Sequence, residues 1–84
     1  MNIISTIKQA GQSLQTLLID YTEKDGSNEG WREVEPYSFR DKEGVMFFFG
    51  FDIQKGGIRQ FNVENINDTK ITTNTYTPRW PVEF

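Results

Sequence analysis

The sequence predicts a mainly β domain of α+β class: a short N-terminal helix followed by a five-stranded, strongly bent antiparallel sheet or barrel that the helix caps. Two observations carry this. Apolar residues recur at helical spacing only before Gly11, and from Leu14 onward they alternate with polar ones. Clusters of Gly, Asp, Asn and Lys then interrupt the alternation at short intervals, as tight turns do.

Asn2 is suited to cap a helix over about residues 2–11, in which Ile3, Ile7 and Ala10 share a face and Gly11 stands where a left-handed C-terminal cap is needed. Strand one covers about 14–22, with Leu17, Ile19 and Tyr21 on one face and Thr16, Leu18 and Asp20 on the other. The stretch from Glu23 to Gly30 holds no apolar residue and two glycines, and reads as an exposed, mobile loop. Strand two, about 31–39, contains Pro36, which cannot donate to a ladder and so predicts an edge or a bulge. Asp41-Lys42-Glu43-Gly44 turns the chain into strand three, 45–52, whose continuous apolar run marks the centre of the sheet. Gln54-Lys55-Gly56-Gly57 closes a hairpin into strand four, about 58–63, where Arg59, Phe61 and Val63 share a face. Strand five, about 66–76, is rich in Thr and Ile, and an irregular tail, 77–84, carries Trp80 and Phe84.

At 84 residues the chain is one domain, 1–84, and buries only about 60 to 65% of the surface its unfolded chain exposes. It has no cysteine and no histidine. That removes the thiolate nucleophile, the commonest general base and the usual transition-metal ligands, so no enzyme, no metal site and no cofactor is expected. Asp20, Asp52 and Asp68 match no loop-type Ca²⁺ spacing. A formal charge of −3 argues against a general polyanion binder. The apolar runs at Leu17–Ile19 and Met46–Phe49 fall far short of the roughly 20 residues of a membrane helix, and the protein reads as cytoplasmic.

Three segments resemble the WYL domain family. Arg32-Glu33-Val34-Glu35-Pro36-Tyr37-Ser38-Phe39 is similar to the family's Arg-x-Val-x-Pro-Tyr-x-Leu. Gly44-Val45-Met46-Phe47-Phe48-Phe49-Gly50-Phe51-Asp52 is similar to the strand that carries the Trp-Tyr-Leu triplet, and Gly57 to Ile66 to the Ile-Arg-x-Phe-x-x-x-Arg-Ile stretch. The resemblance covers residues 2 to about 72. It implies an SH3-like or Sm-like β-barrel, usually carried behind a DNA-binding domain, that binds nucleic acid or nucleotide-like anions through basic and aromatic side chains. Position by position, Arg32, Tyr37 and Arg59 are retained, Phe47 replaces the triplet's Tyr, Met46 its Trp, and Asn65 stands where the family has a second Arg. A ligand site of Arg32, Tyr37, Phe47 and Arg59 follows, provided the four converge in one concave patch. The chain starts at Met1 with one short helix, too little for a helix-turn-helix, so a self-contained repressor is not expected.

Each of these residues also has a plainer reading. Arg32 and Arg59, two of four arginines, would pair with Glu33, Glu35 or Glu64 on a solvated face, and Arg40 and Arg79 would be ordinary surface residues. Among Phe47, Phe48, Phe49 and Phe51 alternate members must point into the core, leaving an outward pair for stacking or contact. Trp31 would mark an interface and Trp80 would dock the tail. Two functions compete. One is a regulatory, non-enzymatic domain sensing a nucleotide, oligonucleotide or other small anion in transcriptional or defence regulation, with weak nucleotide or single-stranded nucleic acid binding. The alternative is a protein-interaction or homo-oligomerisation module without a small ligand.

Overall fold

The computed structural model describes residues 2–84. A helix, α1 (Ile3–Gln12), leads into strands β1 (Gln15–Tyr21), β2 (Trp31–Lys42), β3 (Val45–Asp52) and β4 (Gly57–Asn62). A single 3-10 turn, Val63–Asn65, joins β4 to β5 (Ile66–Thr75). The five strands form one antiparallel sheet in the order β4-β3-β2-β1-β5. The predicted elements are all present, with β2 three residues longer than its expected end at 39.

The Asn2 side chain caps α1 by accepting hydrogen bonds from the Ile4 N–H at 2.8 Å and the Ser5 N–H at 3.3 Å. Gly11 does not serve as the left-handed cap. The helix runs through it, and Leu14, at φ 54°, takes the left-handed position. Gly11 is glycine for a different reason: a Cβ there would collide with the Phe84 ring, which packs directly on the helix backbone. Between β2 and β3 the Glu43–Gly44 pair turns with φ of 54° and 83°, the two positive values that a type I′ hairpin turn requires.

The centre of the sheet is β2 and not β3, because β1 pairs on its other side from Trp31 to Val34. Pro36 therefore lies in an internal strand. It is tolerated because β1 has already left the sheet at that point and because the ladder with β3 slips between Pro36 and Ser38. The slip leaves Tyr37 without a cross-strand partner on the outer face, where its hydroxyl donates to Glu35, and turns Phe39 inward against Phe48.

The two edges, β4 and β5, are linked by only three residues, so the sheet must curl until its edges approach. The Tyr21 hydroxyl accepts from the Asn62 N–H at 3.0 Å, and the Thr22 N–H donates to the Asn65 carbonyl at 3.0 Å, tying both ends of the link to β1. β4 and β5 do not pair with each other, so the sheet is not closed and the expected barrel is a half-barrel. Its concave face buries Leu17, Ile19, Val34, Phe48 and Phe61, on which α1 lays Ile7 and Ala10. Phe61 is the hub, edge-on to Tyr21 at 5.0 Å and stacked on Phe48 at 5.8 Å. Of the four phenylalanines on β3 only Phe48 is fully buried, since that strand's even positions face inward. Among the described residues no helix is long and apolar enough to cross a membrane.

Phe61→Ala should cost about 3 to 5 kcal/mol in urea-induced unfolding, a large share of what so small a domain has. Ile58→Ala, three residues earlier on the same strand and 52% exposed, should stay within about 0.5 kcal/mol. Equal losses for the two would mean that the core is not organised around Phe61.

Candidate functional site

The alternation that fills the concave face with apolar side chains carries each strand into charge at the same end. On β2 the inward position after Val34 is Arg32; on β3 the file Phe48, Gly50 reaches Asp52; on β4 the residue two before Phe61 is Arg59. The pairings Val34 with Asp52, Ile19 with Arg32 and Gly50 with Arg59 put these ends side by side. The mouth of the half-barrel is thus lined by Arg32, 3% exposed, Asp52, fully buried, and the half-buried Arg59.

A carboxylate from the β1–β2 loop joins the two arginines. Glu23 Oε2 accepts from Arg32 Nη2 at 2.9 Å and Oε1 from Arg59 Nη2 at 3.3 Å. The guanidinium of Arg59 lies 5.1 Å over the Phe61 ring, and that of Arg32 lies about 6 Å from both Phe61 and Tyr21. Arg32 also contacts Glu29 at 3.4 Å and faces Asp52 at 3.7 Å. Its Nε and Nη1, and Asp52 Oδ2, make no hydrogen bond within the protein. The partners expected for the two arginines, Glu33, Glu35 and Glu64, are not the ones used. Glu33 and Glu35 point outward, the first to Thr16 and Asn74, the second to Tyr37 and Arg79.

The loop that carries Glu23 is folded. The Glu23 N–H donates to the Ser27 carbonyl at 2.7 Å, Gly26 N–H returns to Glu23, and Asp25 accepts from both the N–H and the hydroxyl of Ser27. Glu29 bridges Arg32 and Lys55. The expected mobile loop is therefore held by the charges it delivers.

Two clefts open beside this pair. One, of about 370 Å³, is lined by Phe47, Arg59, Asn62 and Asn65 with Glu23 and Lys24 at its rim; the other, of about 610 Å³, runs from Arg59 to Lys24, Lys55 and Glu29. The structure therefore brings together Arg32 and Arg59 at one carboxylate and Phe47 and Arg59 along one cleft. It does not bring Tyr37 to them. Tyr37 has the parity of Glu33 and Glu35 and lies on the outer face, 1% exposed, where it stacks on Trp80 at 4.5 Å and its hydroxyl accepts from the Arg79 N–H. Burial pushes that hydroxyl up to about 12. Arg79 is no idle surface residue, for it pairs with the buried Glu35 and lies 3.8 Å over the Phe51 ring. Arg40, by contrast, makes an exposed pair with Glu83.

Sequence reasoning missed Glu23, Lys24, Asp52 and Lys55. Asp52 was within reach, since it shares the parity of Phe48. The others sit in turns, where no period assigns a direction.

Partial burial works against the charge on Glu23, yet its hydrogen bonds to Arg59 and Arg32 and the charges of both hold its carboxyl below the ordinary 4.5. A lowered carboxyl contributes stability that is present above the ordinary value and is lost as pH falls through the lowered one. Acidification below pH 4.5 should therefore move the amide signals of residues 22–30 together with the Arg59 side-chain N–H in an NMR titration. Glu23→Gln should abolish that coupled transition, and its survival in the variant would exclude the bridge.

The WYL domain family matches residues 2–71, from α1 into β5. No curated protein sequence matches the chain. Among solved structures, the proteasome accessory factor B/C (PafBC) of Arthrobacter aurescens is similar over 93% of this chain, with a TM-score of 0.78 and 17% identity. This chain spans only 13% of that one. The fold is thus shared with a segment of a longer protein, and the match reaches every strand that delivers a residue to the charged mouth. The chain belongs to the WYL domain family.

Proposed function

We propose that this chain is a regulatory, non-enzymatic ligand-sensing domain that takes a nucleotide, an oligonucleotide or another small anion at the mouth of the half-barrel. It would serve transcriptional or defence regulation, as one module of a larger system. The observation that carries this is the pair of guanidiniums, Arg32 and Arg59, held around one point at the junction of two clefts. Arg59 contacts the ligand, Arg32 backs it, and Phe47 borders the smaller cleft from the outer side of β3. Asn65, which stands at the position of the family's second Arg, lines that same cleft. Lys24 and Lys55 extend the positive rim.

The groups present hold charge and do not move protons. The sequence has no histidine or cysteine, and the carboxyl at the centre is kept ionised by its two arginines. The net charge of −3 implies weak binding with a steep salt dependence.

The labelled protein titrated at low salt with short single-stranded oligonucleotides and with mono- and dinucleotides tests this. Amide shifts should cluster at Lys24, Phe47, Arg59 and Asn65. Arg59→Ala should weaken binding about 10-fold or more, the equivalent of one charge-assisted hydrogen bond of roughly 1.5 to 3 kcal/mol. Silence at millimolar ligand, or shifts elsewhere that survive Arg59→Ala, would refute the site.

A protein-interaction or oligomerisation module remains the second reading, favoured by one feature. The edge strand β4 pairs only with β3, leaving its outer edge open, and presents Ile58 beside Phe49 and Trp80 around a groove of about 260 Å³. It requires a dimer or larger species in sedimentation at high concentration, weakened by Ile58→Lys; a clean monomer removes it.

A further inference from the structure

Resting on that reading, we infer that Glu23 is a built-in competitor for the anion site: its carboxylate occupies the place between Arg32 and Arg59 that a phosphate group of the ligand takes, and ligand entry expels it together with its loop.

The geometry argues for occupation and not for simple neutralisation. One carboxylate reaches both guanidiniums, one oxygen to each, from a loop that neither β2 nor β4 needs for its own pairing. Arg32 already has a second, permanent counter-charge in buried Asp52, which stays in place through its hydrogen bond from the Lys55 N–H. Removing Glu23 therefore leaves the mouth with one uncompensated positive charge, on Arg59, and frees the Arg32 Nη2 that Glu23 had held. That is a vacated anion site, with its walls still supported by Phe61 and Tyr21.

The competitor also sets the class of ligand. Glu23 is tethered, so an entering anion meets it at the high effective concentration of an intramolecular partner. A monocarboxylate exchanges like for like and gains nothing against that tether. A phosphate with two charges and three acceptor oxygens can meet both arginines and still reach Lys24 or Lys55 on the rim. The site therefore selects phosphate-bearing ligands over carboxylates. The same exchange is a signal, because the loop loses its bridge between Arg32 and Arg59 and is then held at the mouth by Glu29 alone, through Arg32 and Lys55. If the engaged form makes up 90 to 99% of the free protein, apparent affinity is lowered by about 10- to 100-fold.

The test uses the intact chain with inorganic pyrophosphate and acetate as probes. Glu23→Gln should bind pyrophosphate at least about 10-fold more tightly than the wild type, while Asp25→Asn, an equal loss of charge in the same loop, changes affinity less than about 3-fold. In the wild type, pyrophosphate should shift the amides of residues 22–30 and acetate should not. Equal affinity in Glu23→Gln and wild type, an equal gain in Asp25→Asn, a loop unmoved by pyrophosphate, or a Glu23→Gln protein that binds none of it would each overturn the inference. The sensing reading is decided separately, by oligonucleotide shifts around Arg59 that vanish in Arg59→Ala whether or not Glu23 moves.

Discussion

Three residues, Val63–Asn65, carry the chain from one edge of a five-stranded sheet to the other, and a flat sheet cannot be linked that way. Adjacent strands are about 4.8 Å apart, so opposite edges of five flat strands would stand nearly 20 Å from each other, beyond comfortable reach of so short a turn. The sheet must curl, and the curl makes everything else. It turns one face into a cavity filled by Phe61 and its neighbours. It brings the β4 edge over the end of β1, so that Tyr21 can hold the Asn62 N–H and the residues after Tyr21 can reach Arg59. Because the edges approach without pairing, the cavity keeps an open end, and that end holds the charges.

Burying Arg32 is costly unless its charge is met, and the structure meets it three times, with Asp52 from the sheet and with Glu23 and Glu29 from the loop. The sheet partner and the loop partners differ in kind. Asp52 is fully inside and fixed by its own strand, whereas Glu23 is half-exposed at the end of a turn stitched by local hydrogen bonds. A counter-charge fixed by the sheet beside others carried by a loop is the arrangement on which the proposed anion site rests.

The element order, strand parity and the inward file of Leu17, Ile19 and Tyr21 were legible because an alternating period of two leaves only one way to bury the apolar side. The order of strands was less so. The apolar density of Val45–Asp52 suggested the central strand, but a strand can be apolar on both faces for want of a polar outer surface, and Phe47, Phe49 and Phe51 lie on the outside, half-covered by Lys42, Trp80 and Arg79. The site was half legible. Arg32 and Arg59 share parity with core residues and so had to face inward, while Tyr37, five residues beyond Arg32, has the opposite parity; the bulge that no composition announces acts after it, turning Phe39 inward. Glu23 belongs to a polar loop whose direction is set by the charges it finds, which only the folded chain supplies.

The tail supplies a last point, through the contact of Phe84 with Gly11. The matched family segment ends at residue 71, yet the ring of the final residue fills a socket in the first helix and packs edge-on to Phe39 at 5.3 Å. A glycine inside a helix carries a standing cost of about 1 kcal/mol relative to alanine, which selection removes wherever nothing requires it. The two positions are therefore one heritable unit: in lineages where the tail is lost or diverted, the socket should drift to alanine, and glycine should persist only where an aromatic residue returns to fill it.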